Sequence, residues 1–245
     1  MIRLSQRDLH ILAKCAVSKW LSTSQLQRLC FPAVTPDAVR KSLRRLCEAG
    51  YLISIRQDRM SEAFHGLGAT GKRLLESRGL HREVARKLPE QIEHLQGIND
   101  IRVAVESEPE RVAYFFACWE LPALGWSYPV IPDAICELKL DGRKAFTFEY
   151  DRATEAVSVL QRKLRVYERG FSRLRISAVV VVADKSERLE SLAEALRASE
   201  LLILAGRLTD ITAEGVYAPV FRDLVRRSSR NRLCLADISP DDDED

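Results

Sequence analysis

Thr35-Pro36-Asp37-Ala38-Val39-Arg40-Lys41-Ser42-Leu43-Arg44-Arg45-Leu46-Cys47-Glu48-Ala49-Gly50-Tyr51-Leu52-Ile53-Ser54-Ile55-Arg56 reads as a helix that gives way to a strand. Thr35 is an N-cap residue, and Pro36 sits in the first turn, where its missing N–H costs nothing. Val39, Leu43 and Leu46 recur at i, i+4 and i+7, so one face is apolar and turns to a core. Gly50 stops the helix. From Tyr51 the period shortens to two, the alternation of a half-buried strand. Arg40, Lys41, Arg44 and Arg45 lie off the apolar stripe. Four cations within six residues, with no acid between them, repel one another unless an anion comes near.

Upstream, Leu9, Leu12, Ala13, Ala16, Val17 and Trp20 give residues 6–20 one apolar helical stripe. Ser22-Thr23-Ser24 caps a short second helix with Leu26 and Leu29 inward, which Phe31-Pro32 ends. Downstream, Gln57-Asp58-Arg59-Met60-Ser61 is a polar turn, and residues 62–67 return as a second strand. Three helices followed by a hairpin is the order of a winged helix-turn-helix, whose third helix reads the major groove of double-stranded DNA. Arginine pairs bidentately with guanine, and both cations neutralise phosphate. Arg40, Lys41, Arg44 and Arg45 are the expected contacts, with Arg56 and Arg59 reaching phosphate from the wing. A winged helix used for protein contact is the competing expectation. Helix-turn-helix units bind paired half-sites as dimers, so a homodimer is expected.

Charge follows the same division. Residues 1–90 hold 17 Lys and Arg against 8 Asp and Glu, whereas residues 91–245 hold 21 against 27. A basic region beside an acidic one points to a polyanionic partner for the first. With 46% hydrophobic and 30% charged residues the composition is that of a folded globular chain. No apolar run reaches the length of a membrane helix, and the charged start lacks the apolar core of a signal peptide. A cytoplasmic protein without membrane contact is the expectation. The six cysteines form no CxxC pair, and the four histidines are scattered, so buried thiols are expected in place of a zinc site.

Residues 70–88 read as a basic helix and residues 90–107 as an amphipathic one. Strands follow at 112–117, 134–138, 146–151, 176–183 and 201–205, with helices at 154–169 and 187–198. That alternation is α/β (α+β) with a mixed sheet, and the uncharged run 176–183 (ISAVVVVA) is its central strand. The expected domains are 1–88, 89–236, and an acidic disordered tail at 237–245. The tail's six acids solubilise the chain or mimic DNA before the basic helix.

Asp133 precedes one strand of this domain, and Glu149 and Asp151, two apart, share a face of the next. Together they would make an oxygen-rich site for Mg²⁺ or Mn²⁺. The segment from Pro132-Asp133 through Phe148-Glu149-Tyr150-Asp151-Arg152-Ala153-Thr154-Glu155 to Lys163-Leu164 and Tyr167 resembles the bacterial replication-relaxation family. So does His94-Leu95-Gln96-Gly97-Ile98-Asn99-Asp100-Ile101-Arg102. The resemblance implies an association with plasmids and mobile elements, and an N-terminal winged helix joined to a domain similar to PD-(D/E)XK nucleases. An active member of that wider superfamily has Asp, then Glu-x-Lys. Here Asp151 stands where the lysine belongs, and Lys163 is the substitute if it folds back over the sheet edge. The bland alternative is that Asp133 caps a turn, Glu149 and Asp151 pair with Arg152, Arg162 or Lys163, and Tyr167 packs. Three functions follow as expectations, the third an interaction module within a relaxation or conjugation complex, with DNA contact secondary. The first is a sequence-specific DNA-binding regulator of transcription or replication, needing no cofactor, whose nuclease-like domain serves dimerisation or a protein partner in a mobile-element complex. The second is a Mg²⁺- or Mn²⁺-dependent endonuclease using Asp133, Glu149 and Lys163, aimed by the winged helix.

Overall fold

In the computed structural model, residues 2–80, 84–127, 129–169, 175–197, 199–225 and 232–238 are described. The chain divides into two compact units, Met1–Asn99 and Asp100–Asp245.

The first unit opens with α1 (Gln6–Ser18), capped by a Ser5–Asp8 box that satisfies two orphan backbone donors. Strand β1 (Leu21–Ser22) leads into α2 (Thr23–Cys30), whose Ser22 N-cap forms a second such box with Gln25. Helix α3 (Pro36–Glu48) buries Val39, Leu43 and Leu46, the stripe expected of it. Thr35 sits at its N-cap but makes no side-chain cap bond. Gly50, at φ 71°, turns the chain out of the helix into β2 (Leu52–Ile55). Strand β3 (Phe64–Leu67) pairs antiparallel with β2 and also with β1, in the order β1-β3-β2. Ile11, Leu12, Leu26, Phe31 and Leu43 lie in the core that these elements share.

Helix α4 (Ala69–Glu76) is shorter than the helix expected at 70–88. The amides of Gly79 and Leu80 return to the carbonyls of Glu76 and Leu75. Gly79 at φ 80° permits that reversal, so the periodic cations beyond it are not helical among the described residues. Helix α5 (Ile92–Val105) agrees with its sequence stripe. Within the first unit Asn99, fully buried, donates to the carbonyls of Ser18 (3.2 Å) and Trp20 (2.8 Å). Gln96 also donates to Trp20 O at 3.3 Å. These amides fix the bend at Lys19, whose φ is 61°. Gln96 and Asn99 of the His94–Arg102 motif therefore build a turn.

The second unit is a six-stranded sheet in the order β4-β5-β6-β7-β8-β9. Strands β4 (Val112–Ala117), β5 (Ala134–Leu140) and β6 (Gly142–Asp151) form an antiparallel meander, with a tight turn at Asp141-Gly142. Helix α6 (Val157–Glu168) then crosses over to β7 (Ile176–Ala183), parallel to β6. Helix α7 (Ser186–Ala195) leads to β8 (Ile203–Arg207), parallel to β7. Helix α8 (Leu208–Glu214) and the short β9 (Arg222–Asp223) complete the unit, β9 antiparallel to β8. Val179 to Val182 are fully buried, as expected of a central strand covered on both faces. Leu160, Leu164 and Tyr167 of α6 and Leu189 and Leu192 of α7 pack on one face of it. Ordered structure reaches into the predicted acidic tail. Asp237 belongs to the 3-10 turn Leu235–Asp237, and Ile238 is buried, its carbonyl accepting from the buried Lys144 ammonium. Residues 239–245 lie outside the described residues.

Candidate nucleic-acid interface and carboxylate–lysine site

Helix α3 turns its apolar face inward and so presents Arg40, Lys41 and Arg44 outward, all exposed. They line a groove of about 520 Å³ whose opposite wall includes Ser54 and Arg56 of the hairpin. Arg40 pairs with Asp37 and Arg44 with Glu48 at 3.6 Å, both along the helix and both largely in solvent. Such exposed pairs contribute little and are readily exchanged for a phosphate oxygen. Arg56 donates to Ser61 O at 2.9 Å, bracing the hairpin turn. Within that turn the Asp58 carboxylate accepts from the amides of Met60 and Ser61, both at 2.7 Å. Arg59 is exposed on the same turn.

Arg45 departs from the expectation. Its Nη2 meets Asp8 Oδ1 at 2.6 Å, and the Asp8 side chain is only 2% exposed. Burial works to raise the Asp8 carboxyl, but the bonds from Arg45 and Ser5 outweigh it and hold Asp8 below the usual carboxylate range. Arg45 thus ties α3 to α1. One position along a helix is a rotation of about 100°, which carries it away from Arg44 and the groove.

Sequence reasoning missed His65. Its ring is buried behind the groove, Nε2 bonded to Thr23 Oγ1 at 3.0 Å. Burial, with Arg56 adding to it, pushes its pKa down to about 4, so the imidazole is neutral at physiological pH. The signal available was modest: a histidine in alternation with Phe64 and Gly66 on a short strand.

In the second unit the antiparallel register sets Ala134 opposite Phe148, which brings Asp133 and Glu149 together at one end of β5 and β6. Asp133 Oδ2 accepts the Tyr150 amide at 2.8 Å. Glu149 is buried beneath α6. There the Lys163 ammonium donates to Oε2, and the Tyr167 hydroxyl donates to Oε1 at 2.6 Å. Residues 163 and 167 are one helical turn apart, so one face of α6 supplies both donors. Burial raises the Glu149 pKa to about 7, the charge of Asp133 adds to the rise, and Lys163 and Tyr167 oppose it. Burial also works against the Lys163 ammonium, yet Glu149 and Asp133 together hold it above the ordinary lysine range. Lys163 thus folds back from α6 onto Glu149, 14 residues away.

Asp151 does not join them. The Arg188 guanidinium of α7 takes its Oδ2 at 2.8–3.0 Å, and its Oδ1 accepts the Ala153 amide at 2.7 Å. The expected triple of Asp133, Glu149 and Asp151 is therefore not assembled. No group of three metal-ligating side chains occurs among the described residues. Both Glu149 oxygens are occupied by donors, a set that suits a proton or an ammonium and does not fit a divalent cation.

A family model described as replication-relaxation matches residues 12–177, from α1 into β7 and well over half of the chain. No curated protein and no solved structure matches. No helix among the described residues is long and apolar enough to cross a membrane.

Proposed function

The chain belongs to the replication-relaxation family, and on that premise we propose that it is a sequence-specific double-stranded DNA-binding protein regulating transcription or replication on a plasmid or other mobile element. The first unit acts as a winged helix. Helix α3 enters the major groove with Arg40, Lys41 and Arg44, while Arg56 and Arg59 of the hairpin neutralise backbone phosphates. The observation that carries this reading is the groove in which four cations from α3 and the hairpin face one space, with Asp37 the one acid among its lining residues. DNA binding here needs no cofactor. A homodimer on two half-sites, and use of the second unit for that contact or for a protein partner, complete the proposal.

The test is fluorescence anisotropy on double-stranded DNA from upstream of the protein's own gene. Arg40→Ala with Arg44→Ala removes interactions worth about 1–3 kcal/mol each where they read bases. It also flattens the dependence of log K on log salt by about 0.9 for each phosphate that is no longer neutralised. Unchanged affinity and slope in that double variant would falsify the assignment of α3.

The meeting of Asp133, Glu149 and Lys163 favours a second reading, a metal-dependent endonuclease. Against it stand the two occupied oxygens of Glu149 and the diversion of Asp151 to Arg188. Incubating end-labelled duplex with the protein in EDTA or in Mn²⁺ separates the two. Intact strands on denaturing gels in both are expected of a scaffold. Mn²⁺-dependent cutting that Glu149→Ala abolishes would establish the enzyme.

A further inference from the structure

We infer that a cavity at the carboxyl ends of β7 and β8, in the second unit, is a phosphate-binding site. The cavity measures about 250 Å³. Ser186 and Glu190 of α7, Gly206 and Arg207 at the end of β8, Arg222 of β9, and Arg232 all line it. It is independent of the reading of α3, since every one of these residues belongs to the other unit.

Arg222 carries the argument. Its Nη1 donates to Glu190 Oε1 at 2.6 Å, but Nε and Nη2 are buried and have no hydrogen-bond partner among the described residues. Those two nitrogens form the edge of a guanidinium that donates two parallel bonds to a carboxylate or phosphate. The side chain as a whole is 35% exposed, but these two donors are shut off from solvent, and natural structures supply buried donors with a partner. The nearest acid in sequence, Asp223, does not bond to them; its Oδ1 accepts the Val225 amide at 2.8 Å. An oxyanion in the cavity gives the empty fork its acceptors.

Three further features fit the same ligand. The first turn of α7, a ten-residue helix, forms a wall of the cavity, and its N-cap, Lys185, offers no side-chain acceptor to the orphan amides. Arg207 and the exposed Arg232 add cations, of which Arg207 is paired with Asp210. The place is the crevice beyond the carboxyl ends of parallel strands, where open sheets commonly hold ligands. The phosphate belongs to a nucleic-acid backbone or to a small phosphorylated molecule. The chemistry recognised is the same.

The test uses the full chain with inorganic phosphate as probe, against chloride at equal ionic strength. Phosphate at about 100 times its Kd is expected to raise the melting temperature of the second unit by roughly 5–10 °C. Arg222→Gln should remove the rise. Arg232→Ala, a change at an exposed position that leaves the fold intact, should reduce it even if Arg222→Gln fails to fold. A rise no larger than that in chloride, or one equal in wild type and Arg232→Ala, overturns the site. The source of the phosphate is read from duplex binding by the same variants in the Arg40→Ala, Arg44→Ala background. A salt slope lower by about 0.9 in Arg232→Ala assigns a DNA phosphate. An unchanged slope with the thermal effect intact assigns a small phosphorylated ligand. Failure of the α3 variants alone would leave this site standing.

Discussion

Exchanging Glu149 for glutamine preserves the shape of the buried side chain and removes its titration. In the wild type, burial and the neighbouring Asp133 carboxyl lift the pKa to about 7 from 4.5, against the pull of Lys163 and Tyr167. Between those two values the folded chain keeps a proton that the unfolded chain has released. Stability therefore falls as pH rises through this window, the reverse of an ordinary salt-bridged acid. Integrating the difference in bound protons from pH 5 to pH 8 gives a loss on the order of 2 to 3 kcal/mol from this group. In a chain of this size that is roughly 5–10 °C in melting temperature. The assay is urea unfolding of wild type and Glu149→Gln at both pH values, followed by a probe in the second unit. The change with pH in wild type, minus that in the variant, reports Glu149 together with the shift its loss causes in its partners Lys163 and Asp133. The expected remainder is a wild type that loses on the order of 2 to 3 kcal/mol more than Glu149→Gln on going to pH 8. If the two proteins lose the same amount, Glu149 ionises as an exposed carboxyl does, and its burial against α6 is refuted.

Arg45→Ala strips a buried acceptor, Asp8, of its strongest donor and should cost about 1–3 kcal/mol in denaturant unfolding. The same variant should keep the wild-type salt slope for DNA; a lower slope would return Arg45 to the interface. The His65 imidazole, with its pKa pushed down to about 4, gives the first unit a loss of stability as pH falls from 6.5 toward 4, because the unfolded chain takes up the proton first. The loss amounts to about 3 kcal/mol over that window. His65→Gln should show none of it when unfolding is followed at pH 4 and pH 7.

Periodicity located what depends on local sequence. The caps Ser22 and Thr35, the stripe Val39-Leu43-Leu46, the turn at Asp141-Gly142 and the strand Ile176–Ala183 all fall where expected. The convergence of Asp133 and Glu149 was legible too, since hairpin register follows from the turn. The fate of single polar side chains was not. Arg45 differs from Arg44 only by its rotation about α3, and Asp8, its partner, lies 37 residues away. Asp151 shares a strand face with Glu149 in principle, but the choice between a common metal and Arg188 is made by α7, 37 residues on. Gln96 and Asn99 drew notice as part of a motif. Their use as braces for the Trp20 carbonyl depends on a meeting of segments that no window of sequence contains. The basic run after α4 kept the period of a helix, and Gly79 alone marked its stop.

The central strand also bears on how the chain is made. Eight uncharged residues, with four consecutive valines in the middle, are covered only after α7 and β8 have been synthesised and have docked. Until then the ribosome displays a bare, β-prone segment whose parallel partner β6 must be reached across α6, a slow type of pairing. Fragments ending between residues 183 and 203 should therefore collect in inclusion bodies, as unprotected strands of this composition associate with one another. Expression of the second unit by itself calls for boundaries that keep β6 through β8 on one polypeptide.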